Sequence, residues 1–155
     1  MRTYDETKSY RKELSLESSD LLDLARCELM QSRSIQLKIS GSAMRPMLDD
    51  GDIVVIDPID PATVRVQDIV LVATASGTAL IHRVVAIQEI EGALHALTRG
   101  DGSCHHDTPV PLNKVLGRVV AMQRKGKGKM IPVYHPHGWL SRVRYWLQGI
   151  FRNLF

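Results

Sequence analysis

The sequence predicts a mainly β fold, a coiled antiparallel sheet or partly open barrel, with an amphipathic helix at each end. Three observations carry this. Short apolar runs with strand period recur between residues 35 and 123, each closed by a Gly-, Asp- or Pro-containing turn. Short strands at that spacing suit a coiled sheet or barrel. Before and after that region the apolar period lengthens to the helical three or four.

Residues 1–17 are polar and read as a tail. Ser18-Ser19-Asp20 offers an N-cap for a helix of about a dozen residues, with Leu21, Leu22, Ala25 and Leu29 on one face. Ile35, Leu37 and Ile39 then alternate with polar residues as in a half-buried strand, and Asp49-Asp50-Gly51-Asp52 is a turn. Ile53 to Ile56 is a β-branched run stopped by Asp57-Pro58. Asp68 to Ala73, Ala79 to Ile87, Ala93 to Thr98 and Val115 to Gln123 are four more strand candidates. Ser76-Gly77, Glu91-Gly92 and Gly100-Asp101-Gly102 turn the chain between them. Gly126-Lys127-Gly128-Lys129 is a basic turn, and Met130 to Val133 suits an edge strand. The division expected is a tail and helix over 1–34, a β domain over 35–125, a basic Pro/Gly linker over 126–138 and a helix over 139–155.

A 155-residue chain with 44% hydrophobic residues can bury one core. The net charge of +3 is too mild to argue for nucleic acid, although Arg124, Lys125, Lys127, Lys129, Arg142, Arg144 and Arg152 make the C-terminal third basic. Nothing approaches the roughly 20 apolar residues of a membrane span. The polar N-terminus does not read as a secretory signal, and Cys27 and Cys104 make no disulfide framework. The expected location is the cytoplasm, or the periphery of a membrane.

Chemistry concentrates in three places. Ser40-Gly41-Ser42-Ala43-Met44-Arg45-Pro46 is a small-residue turn between two strands; His82 lies inside a strand; Gly100-Asp101 is a turn followed by Asp107. A Ser-His-Asp hydrolase needs a nucleophile on an open turn, a histidine base and a carboxylate to orient the ring. Histidine exchanges its proton near neutral pH, which suits His82 as base. Asp101 or Asp107 would fix its tautomer.

These boxes resemble the signal peptidase I superfamily, which includes the SOS-type self-cleaving repressors. That family's Gly-x-Ser-Met-x-Pro motif matches Gly41-Ser42-Ala43-Met44-Arg45-Pro46, followed by Gly51-Asp52-Ile53-Val54-Val55. A Gly-Asp-Ile-Val-Val box matches Gln67-Asp68-Ile69-Val70-Leu71, with Gln for Gly. His82-Arg83-Val84 matches the box of the branch with a histidine base; Gly100-Asp101 with Asp107, and Gly117-Arg118-Val119, match the last two. The resemblance covers about residues 35–125. It implies the coiled β fold and a serine endopeptidase acting on a precursor, leader or signal peptide; no cofactor or metal is expected. Gly41, Met44 and Pro46 would border the bound peptide.

The sequence departs from that pattern at the decisive atom. Alignment of Met44 and Pro46 puts Ala43 where the nucleophilic serine belongs, and alanine has no nucleophile. Three readings stay open: a Ser-to-Ala replacement that traps intact substrate, a natural pseudopeptidase that binds a peptide or protein partner, or a shifted turn in which Ser42 acts. Strand alternation would point Ser42 away from His82. The family's usual membrane anchor is not evident in residues 1–34, which also show only one clear helix, too little for a helix-turn-helix DNA-binding domain and linker.

Both tryptophans and both phenylalanines fall in the final helix. Trp139, Leu140, Val143, Trp146, Leu147, Ile150, Phe151, Leu154 and Phe155 share its apolar side, and Arg142, Arg144, Gln148 and Arg152 the polar one. Such a helix suits a membrane interface, the barrel itself or a partner groove. Cys104-His105-His106-Asp107 has metal-ligand residue types, but contiguous ligands crowd one another, and the favoured reading is a loop that brings Asp107 to His82.

Overall fold

A computed structural model describes residues 19–133. Its one α-helix, α1 (Ser19–Met30), precedes eight strands: β1 (Ile35–Lys38), β2 (Ile53–Pro58), β3 (Ile69–Ala73), β4 (Ala79–Ile90), β5 (Ala93–Arg99), β6 (Val110–Pro111), β7 (Val115–Gln123) and β8 (Met130–Pro132). They form one antiparallel sheet in the order β1-β2-β7-β3-β4-β5-β6, with β8 also paired to β7. The mainly β class and the curled half-barrel are as the sequence predicts. The helix expected over 139–155, with Trp139, Trp146, Phe151 and Phe155, lies outside the described residues.

The curl has a local cause. Register shifts fall at Val55/Ile56 in β2, Leu71/Val72 in β3 and Val84/Ala86 in β4. Each is a bulge or comparable irregularity in the pairing, and such a break bends its strand and increases twist. The curled sheet is buried on both sides around β3, whose five residues are all buried. Ile69 and Leu71 join α1's Leu21, Leu22, Ala25 and Leu29 in one cluster, while Val70 and Val72 join Val84, Ala96 and Val115 in another. Adjacent side chains leave a strand on opposite faces, so β3 serves both cores.

One strand exceeds the sequence reading: β6, two residues long, is too short to show any period. The edge strand read over Met130 to Val133 is present as β8, paired with β7, and Val133 is buried in the α1-side core with its N–H donated to the Val120 carbonyl at 2.9 Å.

Three Asp–Arg pairs tie strand ends together. Asp52, 2% exposed, accepts from Arg124 at 2.8 Å and from the N–H groups of Asp49 and Lys125 at 2.9 and 3.0 Å. Asp68 accepts from Arg118 at 2.7 Å and from the Arg65 N–H at 2.9 Å. Asp101 accepts twice from Arg83. The Gly-Asp boxes are therefore also places where the chain is fastened. Gln67, which stands in for glycine in the second box, has φ +79° and keeps the left-handed backbone; Gly51 in the first has φ +85°.

Candidate active site

The loop between β1 and β2 is held from below. Two hydrogen bonds close its neck: the Gly51 N–H donates to the Ile39 carbonyl at 2.9 Å and the Ile39 N–H to the Asp52 carbonyl at 2.7 Å. Met44 and Leu48, 3% and 0% exposed, sink into the core and lift the residues between and before them to the surface. Met44 thus anchors the loop as well as bordering the cleft. Ser42 to Arg45 form a turn, with the Arg45 N–H on the Ser42 carbonyl at 3.1 Å, and the Arg45–Pro46 peptide is cis. Pro46 is exposed. The Arg45 guanidinium hydrogen-bonds Asp49, and this contact first, then the Asp50 N–H, holds the Asp49 carboxyl below its ordinary pKa.

This geometry alters one expectation. The side-chain alternation invoked for Ser42 needs an extended strand, and here the backbone turns instead; Ser42 is exposed at the start of that turn. Nor are all the glycine-turn amides open, because the Gly41 N–H is taken by Asp50 Oδ1 at 2.9 Å. The Ala43 N–H has no acceptor among the described residues.

A cleft of about 350 Å³ runs past Ala43. One wall is Ile39 to Gly41 with Ala43 and Met44; the other is Thr78 to His82 of the β3–β4 hairpin. Ala43 and His82 therefore face a common space. His82 Nδ1 is 2.6 Å from Asp107 Oδ2. A carboxylate only accepts, so Nδ1 carries the hydrogen, and in the neutral form of such a ring the lone pair is on Nε2. Thr98 Oγ1 donates to the same Asp107 oxygen at 2.7 Å, and the Asp107 N–H donates to the Thr98 carbonyl at 2.8 Å. Thr98 is completely buried.

Of the two carboxylates considered for His82, the structure brings Asp107 to the ring and places Asp101 elsewhere. Asp101 takes both its hydrogen bonds from the Arg83 guanidinium at 2.7 Å, and this contact raises the Arg83 pKa above its ordinary value. The reason is strand geometry: residues 82 and 83 leave β4 on opposite faces, so each meets a different aspartate. The Gly100-Asp101-Gly102 turn serves the site through its backbone. The Gly102 N–H donates to the Ala43 carbonyl at 3.0 Å. A Cβ on Gly100 would lie 2.5 Å from that oxygen, so no side chain fits there.

A family model described as Peptidase S24-like matches residues 5–120. The chain belongs to this family. The match bears out the resemblance read from the boxes, and the fold is that of peptidases and self-cleaving repressors. A comparison with curated proteins returns no match. Within this S24-like domain, the matched span contains Ala43, His82, Thr98 and Asp107 and stops short of the basic turn and β8.

Thr98 escaped the sequence reading, although a lone hydroxyl in the run Ala93-Leu94-His95-Ala96-Leu97-Thr98 is a visible signal. Cys104, His105 and His106 are exposed in the loop leading to Asp107. Among the described residues no group of three or more His, Cys, Asp or Glu is arranged to hold a metal ion, and no helix is long and apolar enough to cross a membrane.

Proposed function

We propose that this S24-like chain binds an extended precursor or leader peptide in the cleft beside Ala43, at a serine-endopeptidase site that lacks its nucleophile. The observation that carries the reading is the 2.6 Å His82–Asp107 contact in a histidine whose cleft is shared with Ala43. The peptide would lie along β4. Residues 79–82 pair with β3 on one edge, whereas pairing with β5 begins at Arg83, so the other edge is open to a strand.

With a serine at 43, the chemistry is direct. His82 Nε2 takes the hydroxyl proton, the oxygen attacks the scissile carbonyl, and the protonated imidazole then delivers that proton to the leaving amine. Asp107 steadies the imidazolium. The N–H of residue 43 is available to the oxyanion. With alanine the same surfaces bind but no acyl bond can form, and loss of a nucleophile costs about a million-fold in a well-studied serine protease.

The test is Ala43→Ser with a randomised peptide library read by mass spectrometry. Cleavage by Ala43→Ser that disappears in Ala43→Ser/His82→Ala supports a peptidase site. Peptide binding without cleavage by Ala43→Ser favours the second reading, a pseudopeptidase that holds an uncut partner. Neither binding nor cleavage overturns both.

A further inference from the structure

A second groove, of about 350 Å³, shares no lining residue with the cleft beside Ala43. Three elements line it. α1 contributes Leu29 and Met30, the end of β2 and the turn after it contribute Pro58 and Pro61, and β7 begins there with Val115. Leu29 belongs to the α1-side core and Val115 to the other, so both cores reach the surface here. Met30 is 80% exposed, a flexible apolar side chain at the groove with little of its surface used in packing. The two prolines have no N–H, so polar recognition falls to side chains.

Those side chains have one sign of charge. Arg26 of α1 and Lys114, in the short helical turn before β7, line the groove with Asn113, and no Asp or Glu does. Neither cation is in an ion pair among the described residues. The carboxylates nearest in sequence are engaged: Glu28 with Arg33, Asp57 with Ser34 and Asp60 with the Ala62 N–H. The last carbonyls of a helix carry partial negative charge and would oppose an anion. In α1 those of Cys27, Glu28 and Leu29 accept from the N–H groups of Gln31, Ser32 and Arg33.

We infer that this groove binds a small amphipathic carboxylate, a short aliphatic chain ending in one free carboxylate. The chain lies against Leu29, Met30 and the prolines, and Arg26 and Lys114 take the head. The volume is at the small end of the range of about 300–1,000 Å³ for ligand sites, which suits a short single chain rather than a diacyl lipid. An extended peptide fits less well, because it would bring N–H donors to a lining whose charged groups are themselves only donors. Occupancy would bridge the two cores at the surface. It does not depend on what the cleft beside Ala43 binds or cuts.

The test is titration of the full chain with octanoate, kept below its micelle concentration and followed by calorimetry and amide proton–nitrogen correlation spectra. Octanoate should bind saturably at one site and raise Tm. Amide resonances should move at Arg26 to Met30, Ile59 and Asn113 to Leu116, and stay in place at Ser40 to Ala43 and Thr78 to His82. Octylamine, with the same chain and the opposite charge, should not bind. A solvent-exposed ion pair contributes about threefold, so Arg26→Gln/Lys114→Gln should weaken octanoate about tenfold. Met30→Ser should weaken it with both cations intact. Circular dichroism of these variants should match the parent, because Met30 and Lys114 are exposed and Arg26 is half-exposed. No saturable binding of octanoate, equal binding of octylamine, undiminished binding by the double variant, or resonance shifts confined to the cleft beside Ala43 would overturn the proposal.

Discussion

Thr98 is a small residue with a large geometric task. Asp107 comes from an irregular loop, and a carboxylate on a loop needs a second anchor to hold one oxygen 2.6 Å from an imidazole. Thr98 supplies it from rigid β5, by its hydroxyl and its carbonyl together. Thr98→Val keeps the volume and deletes one charge-assisted hydrogen bond, worth about 1.5–3 kcal/mol. Thr98 is a positioning residue, so in an Ala43→Ser background kcat should drop roughly tenfold or more with KM nearly unchanged. Thr98→Ser should restore it. In the parent chain, the downfield Nδ1 proton resonance of His82 should shift in Thr98→Val and return in Thr98→Ser; an unmoved resonance would reduce Thr98 to packing. The histidine was legible from sequence as a strand residue beside matching boxes. Its partner was not, because the choice between Asp101 and Asp107 depends on which face of β4 each loop reaches. The parity of residues 82 and 83 separates two faces, but only the fold says which aspartate lies on which.

Elements were legible where a period had length to express itself. The cap at Ser18 to Asp20 and the apolar positions Leu21, Leu22, Ala25 and Leu29 predicted a helix, and α1 runs over Ser19–Met30 with those four buried. β7 has the predicted ends, Val115 and Gln123. β6 has no period to read, and β4 runs on to Ile90 through exposed Gln88 and Glu89, which pair with β5 without entering a core. The Asp52 clamp was hidden for another reason: Asp52 and Arg124 are distant in sequence and meet only because β2 lies beside β7. Asp52→Asn keeps the shape while removing the charge that serves Arg124 and two N–H groups. A fully buried pair broken in this way costs about 3–5 kcal/mol. Arg124 is 37% exposed and can turn to water, so about 2 kcal/mol is expected, read as a lower urea midpoint at unchanged m-value. Because the same carboxylate fixes the Asp49–Asp52 turn beneath the Ala43 loop, peptide affinity should fall with stability in this variant.

At the scale of the molecule, packing and charge divide the chain differently. One apolar cluster joins α1, β1, β2, β3, β7 and Val133, so helix and sheet form a single cooperative unit. Charge instead separates the acidic first two thirds from the wholly basic remainder. Because one cluster joins helix and sheet, urea unfolding followed by far-ultraviolet circular dichroism should show one cooperative transition. A separate transition for the helix would mean that α1 and the sheet unfold independently, and that the shared cluster does not couple them.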